Sequence, residues 1–205
     1  MDEILFNLIS SWPGLIGRPD RALIDDSLVL LEFLPPGPLR LVDVGSGGGL
    51  PGLPLKLARP ELSLILVEAN RRKAAFLVQA AARLALSGVE VLAARAEDVG
   101  RDPRHREAYD IATARALAAM PVLAELCLPL VKVGGRLLAM KADALEEAKA
   151  AEPVISRLGG RLLAVSPAAS AARSLGQVVV VQKVAPTPPE YPRRAGLPGR
   201  RPLSG

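Results

Sequence analysis

The sequence predicts an α/β fold, a mostly parallel seven-stranded sheet flanked by helices, and three observations lead there. Short apolar runs alternate along the chain with longer segments of helical period, the pattern of βαβ units. The 205 residues are 50% hydrophobic and 23% charged, which supplies one sizeable core and excludes a disordered or collagen-like chain. A strand-like run then ends directly in a glycine-rich turn, the junction at which open α/β sheets bind ligands.

The elements follow in order. Residues 4–9 and 22–34 read as helical, broken by Pro13-Gly14 and Arg18-Pro19 and closed by Pro35-Pro36-Gly37-Pro38. Together 1–38 form a short helical N-terminal extension. Strands are predicted over 39–44, 63–67, 89–93, 110–113, 136–140, 161–165 and 178–182. The clearest helix spans 71–86, with Ala74, Leu77, Val78, Ala81, Leu84 and Ala85 as its apolar stripe and Gly88 as terminator. Weaker helices are predicted over 118–131 and 144–158. The ligand-binding domain is thus 39–183, and 184–205 is a Pro/Arg-rich basic segment. Six prolines there remove backbone donors and fix an extended course, so a disordered end with neither helix nor central strand is expected.

Charge and cysteine usage narrow the function. The formal net charge is +5, and 20 of the 26 basic residues are arginine, suited to bidentate phosphate contacts. Residues 184–205 carry +3 of that excess. Cys127 and His105 cannot assemble a four-ligand zinc module or an internal disulfide, so no metal is expected and a reducing compartment is implied. No apolar run approaches a membrane span, and Met1-Asp2-Glu3 is acidic where a signal peptide starts basic. The expectation is a cytoplasmic protein with no membrane partner.

The informative stretch is Leu41-Val42-Asp43-Val44-Gly45-Ser46-Gly47-Gly48-Gly49-Leu50-Pro51-Gly52. A dinucleotide fingerprint G-x-G-x-x-G/A would need a small residue where Leu50 stands, which disfavours an NAD-dependent reductase. Gly45, Gly47 and Gly49 instead form G-x-G-x-G behind Asp43, the pattern of methyltransferases that use S-adenosylmethionine. That ligand carries an ammonium and a sulfonium, which an acidic Asp43 complements. Glu68 ends the second strand, placed to accept hydrogen bonds from ribose hydroxyls. Ala96-Glu97-Asp98 follows the third strand, where such sites commonly hold the adenine.

These residues resemble the RsmG (glucose-inhibited division protein B) family. The resemblance covers most of the chain: 43–56 in the glycine turn, Glu68 with Arg72-Lys73 and Phe76-Leu77, Arg95-Ala96-Glu97, Ala114-Arg115-Ala116, Gly134-Gly135 with Lys141, and Tyr191-Pro192-Arg193. It implies a class I SAM-dependent methyltransferase (Rossmann-like) fold, S-adenosylmethionine as cofactor, and methylation of N7 of a guanine in 16S ribosomal RNA, within the 30S subunit or its precursor. It also implies that Gly45, Leu50, Ala96, Glu97 and Arg115 contact the cofactor. The chain departs from the family pattern at Leu23, where a histidine is usual, at Gly48, at Ala142 and around Arg173-Ser174-Leu175.

The chemistry implied needs no general base, because guanine N7 offers an in-plane lone pair and the sulfonium an activated methyl. Holding the reactants in line suffices, so no catalytic residue is required beyond Arg115 and Lys141 as assisting candidates. Cys127 lies in an apolar run and reads as core rather than as the thiolate that cytosine C5 chemistry needs. Ala114-Arg115-Ala116-Leu117 stands where amino-group methylation would favour an Asp/Asn-Pro-Pro-aromatic turn. Arg95, Arg115 and Lys141 fall just past strands three, four and five, on one expected rim. Arg72 and Lys73 at a helix N-terminus, Arg173, and Arg193 and Arg194 beside Tyr191 complete the RNA-binding candidates. His105 reads as a solvated loop residue. A rival reading is a non-catalytic RNA-binding or ribosome-assembly module that keeps the fold.

Overall fold

The computed structural model describes residues 2–17 and 19–204. Seven strands form one sheet in the order β3-β2-β1-β4-β5-β7-β6. They are β1 (Arg40–Val44), β2 (Ser63–Val67), β3 (Val89–Leu92), β4 (Tyr109–Arg115), β5 (Val131–Lys141), β6 (Gly160–Pro167) and β7 (Gln177–Lys183). The first five are parallel, and β7 runs against both its neighbours. All seven predicted strands are present. The last four extend beyond their predicted ends because cross-strand pairing continues past the apolar run itself.

Helices cover both faces of the sheet. Leu41, Leu64, Leu66, Ile111, Leu138 and Met140 face one cluster with α1 (Asp2–Ser11), α2 (Ala22–Leu28), α3 (Gly52–Ala58) and α4 (Arg71–Arg83). Val42, Val44, Ile65, Val67, Ala112, Ala114, Leu137 and Ala139 face the other, with α5 (Ala96–Arg101), α6 (Met120–Cys127) and α8 (Glu152–Arg157). Neighbouring strand residues therefore belong to opposite layers, which is why these strands read as continuous apolar runs. The N-terminal helices share the first cluster through Leu5, Ile9, Leu15 and Ile24. No helix among the described residues is long and apolar enough to cross a membrane.

Three expectations are corrected. The predicted 22–34 helix is α2 followed by a 3-10 stretch over Val29–Phe33, and 144–158 divides into α7 (Leu145–Ala150) and α8, with Pro153 in the first turn of α8. The stripe of α4 is rotated: Ala74, Phe76, Leu77 and Ala80 are buried, whereas Val78 is 57% exposed and Ala85 lies outside the helix. Its terminator is Ala85, at φ 52°, and not Gly88. Leu86 N–H donates to Ala81 O at 3.0 Å and Ala85 N–H to Ala82 O at 3.1 Å, so a Schellman closure ends the helix early.

The third correction concerns the C-terminal segment, which has a defined course and ends in a helical turn, α9 (Leu197–Arg200). Sequence pattern missed it because its supports are distant in the chain. Arg106 donates to the carbonyls of Gly100, Thr187, Pro188 and Tyr191 at 2.7–3.2 Å, and Arg101 Nε donates to Pro192 O at 2.7 Å. Thr187 N–H donates to Glu107, and buried Lys183 donates to Leu128 O and pairs with Glu107 at 3.0 Å. Gly100 leaves room for the proline, since a Cβ there would stand 3.1 Å from Pro192 Cγ. Arg106→Ala is therefore expected to lower stability by about 2 kcal/mol, read from urea unfolding, and to speed tryptic cleavage beyond residue 190.

Candidate functional site: a cleft at the carboxyl edge of the sheet

The site is built on the turn after β1. Gly45 and Ser46 N–H groups donate to Val67 O at 2.9 and 3.1 Å, which ties the turn to the end of β2. Gly47 N–H donates to Glu68 Oε2 at 2.9 Å, and Asn70 N–H to Glu68 Oε1 at 2.7 Å. Asn70 then caps α4, its side chain accepting from Arg72 and Lys73 N–H. This cap offsets part of the penalty for positive side chains at a helix N-terminus.

Asp43 lies beneath the turn. It is 1% exposed, and its carboxylate accepts from Thr113 Oγ1 at 3.1 Å and from Gly52 N–H at 3.2 Å. The first contact follows from register, because Asp43 and Thr113 are partners across β1 and β4. Burial pushes the Asp43 carboxyl up to about 6, against the opposing pull of the Thr113 and Gly52 hydrogen bonds and of Arg115.

Above the turn opens a cleft of about 420 Å³, within the usual range for small-molecule sites. Gly45, Gly47, Glu68, Ala96, Glu97, Arg95 and Lys73 line it. Gly45 sits at φ 72°, a dihedral that favours glycine, and a Cβ there would stand 2.5 Å from Leu117 Cδ1 and push that methyl aside. Leu117 reaches that position after Ala116, a non-glycine residue at φ 50°. Asp43, Gly49, Leu50 and Arg115 do not line the cleft. Gly49 and Leu50 lie in the turn, with Leu50 in the core cluster.

The basic candidates divide into two groups. Arg115 Nη1 pairs with Asp26 at 3.4 Å and donates to Leu23 O at 3.2 Å. That second contact uses the Leu23 backbone and does not depend on the side chain there. Arg173 Nε pairs with the same Asp26 at 2.9 Å, and its Nη1 donates to Lys141 O. Lys141 Nζ reaches both oxygens of Glu147 at 2.9 Å and Ala118 O. Arg193 forms a two-pronged contact with Glu125 at 2.8 and 2.7 Å. By contrast Arg72, Lys73, Arg95 and Arg194 form no ion pair among the described residues, and all but partly covered Lys73 are exposed.

Sequence reasoning missed the rest of the cleft lining, Leu117, Val122 and Leu126 in and before α6 and Gly196 and Gly199 from the C-terminal segment. It also missed Asp26, Glu125 and Glu147 as partners. One signal was available: Glu125 is the lone charge in the apolar stretch 120–131. His105 is not a free loop residue, since its Nδ1 lies 2.6 Å from Tyr109 Oη. Cys127 is fully buried and its thiol pKa is pushed up by desolvation, which leaves it as core.

Solved structures share this chain's architecture. A SAM dependent methyltransferase from Aquifex aeolicus superposes with TM-score 0.63 at 18% identity, covering 86% of this chain and 98% of that one. A 16S rRNA methyltransferase of T. thermophilus, solved in complex with AdoMet and guanosine, superposes with TM-score 0.58 at 19% identity, over 86% of this chain and 42% of that one. These likenesses establish the class I methyltransferase fold. At the level of sequence, residues 19–175 match the family GidB, described as rRNA small subunit methyltransferase G. Proteins named ribosomal RNA small subunit methyltransferase G are 52% identical over 167 residues in Roseiflexus castenholzii and 44% identical over 185 residues in Moorella thermoacetica. Those matches cover 81% and 89% of this chain and 71% and 77% of the relatives. With its glycine turn, strand-end acids and fold all accounted for, the chain belongs to the rRNA small subunit methyltransferase G family, a family of methyltransferase enzymes.

Proposed function

We propose that this protein transfers a methyl group from S-adenosylmethionine to N7 of a guanine in 16S ribosomal RNA, acting in the cytoplasm on the 30S subunit or its precursor. The observation that carries the reading is the cleft itself: a glycine turn open to a ligand, with two carboxylates, Glu68 just after β2 and Glu97 in the first turn of α5. When bound, the cofactor supplies an activated methyl on a sulfonium. Gly45 and Gly47 allow backbone approach, Glu68 and Glu97 provide acceptors for hydroxyl and amino groups, and Leu117, Val122 and Leu126 supply an apolar wall. Asp43 and Leu50 act one layer back, by holding the turn. Positioning in this dry-walled cleft is the whole of the catalysis assigned here, because the acceptor nitrogen has no proton to lose.

The RNA surface is assigned to Arg72, Lys73, Arg95 and Arg194, which form no ion pair among the described residues and of which Lys73 and Arg95 line the cleft. Arg115, Lys141, Arg173 and Arg193 are assigned to building the site, since each already holds an internal carboxylate. Incubation with labelled S-adenosylmethionine and 30S subunits from cells lacking the family enzyme should label a single guanine at N7; absence of label there ends the substrate assignment. Arg72→Ala and Arg95→Ala should each weaken RNA binding across sequences and reduce the salt slope of log K by about one. A slope identical to wild type would remove that residue from the interface. S-adenosylhomocysteine heats in calorimetry distinguish this reading from the non-catalytic module, which predicts salt-dependent RNA binding and no such heat.

A further inference from the structure

The C-terminal segment crosses the molecule to reach the cleft, and its anchoring is too specific for a passive tail. Arg193 sits on Glu125, a carboxylate that is 0% exposed. The Arg193 backbone N–H also donates to Glu125 Oε1 at 2.9 Å, and Arg193 Nη2 donates to Arg201 O at 2.8 Å, which closes the segment on itself. Three residues beyond Arg193, Gly196 N–H donates to Glu97 Oε1 at 2.7 Å. Gly196 and Gly199 then line the cleft. One oxygen of Glu97 is thereby taken by the segment, and this contact sets how the carboxylate presents itself to a ligand.

Resting on the cofactor reading above, we infer that residues 191–201 are a strap forming one wall of the cofactor cleft, and that the Glu125–Arg193 pair positions it, through Gly196 N–H, on Glu97. The chemistry favours this role. A carboxylate with one oxygen already bonded cannot turn both oxygens to solvent, so its free acceptor capacity is aimed before the ligand arrives. Burial of Glu125 makes the Arg193 anchor hard to release, since an unpaired charge at that depth is disfavoured. Glu125 and Arg193 touch neither ligand nor substrate in this arrangement. They act through Glu97.

The test compares full-length wild type with Arg193→Ala, Arg193→Lys and Gly196→Pro. The proline removes the N–H and cannot adopt the φ of 79° found there, yet a side chain at this position meets nothing within 4 Å, so the core is left intact. Calorimetry with S-adenosylhomocysteine should show about tenfold weaker binding for Arg193→Ala and Gly196→Pro, the scale of one charge-assisted hydrogen bond, with partial recovery in Arg193→Lys. KM for S-adenosylmethionine should rise in parallel, by more than kcat falls. In wild type, saturating ligand should slow tryptic cleavage after Arg194 and Arg200 more than after Arg21, which pairs with Glu3 of α1 and whose side chain is 59% exposed.

If wild type binds and the Gly196→Pro variant, which removes the N–H and the backbone turn it needs while keeping both side chains of the buried pair, binds equally well, the strap inference fails and the cofactor reading stands. Equal protection at Arg21 and at the strap sites would likewise overturn it, because ligand stabilisation of the whole fold would then explain the effect. If wild type itself does not bind, both fall together.

Discussion

Asp26→Ala is expected to destabilise the protein by about 3–5 kcal/mol, measured from the urea unfolding midpoint, the range for breaking a buried ion pair from one side. Asp26 is 1% exposed and holds three partners: Arg115, Arg173 Nε at 2.9 Å and Ser170 Oγ at 2.6 Å. It thereby fastens α2 to the end of β4 and to the loop between β6 and β7. Burial draws the Arg115 pKa below its ordinary value, and the Asp26 charge is the main influence opposing that pull. Without Asp26 two largely buried guanidinium groups lose their counter-charge. Asp26→Asn should fall between, because it keeps an acceptor for Ser170 and loses only the charge. A loss under about 1 kcal/mol in the alanine variant would show that the two arginines repair their pairing elsewhere.

The second large effect is a pH dependence at Asp43. In the unfolded chain this carboxyl ionises near 3.8, and in the fold at about 6. Below pH 3.8 it is protonated in both states and contributes no difference. As pH rises through 6 the fold must carry a buried carboxylate, and about 3 kcal/mol of stability is lost relative to the acid side. Asp43→Asn retains the acceptor for Gly52 N–H and has no charge to bury. Its stability relative to wild type should therefore grow by about 3 kcal/mol between pH 4 and pH 7 and then level off. A gap that stays constant over this range contradicts the assignment. Asp43→Ala, which leaves Gly52 and Thr113 without their acceptor, should weaken S-adenosylhomocysteine binding about tenfold or more through loosening of the turn. Because that ligand has no sulfonium, the loss would report the turn's geometry and not attraction to a positive charge.

Asp43 combines a local and a distant determinant. Its proximity to the ligand turn followed from local order, since a strand that runs into Gly45-Ser46-Gly47 must deliver the turn to the sheet edge. Its depth beneath the turn depended on register with Thr113, 70 residues away. The α4 stripe shows the same limit at shorter range. Apolar residues there include both Val78 and Phe76, and only the packing of α4 against the sheet selected Phe76 for burial.

The basic residues make the contrast sharpest. Arg95, Arg115 and Lys141 were all placed at strand ends, yet only Arg95 remains unpaired at the cleft, while the other two hold Asp26 and Glu147. From the order of residues alone came the parallel sheet, its seven strands, the glycine turn and the strand-end acids, because period and turn chemistry act between near neighbours in the chain. Which cations are free to meet a phosphate, and that the proline-rich end is a wall of the cleft, was decided by tertiary structure alone. A charge takes its partner by distance in space, and Arg173 finds Asp26 across 147 positions of sequence.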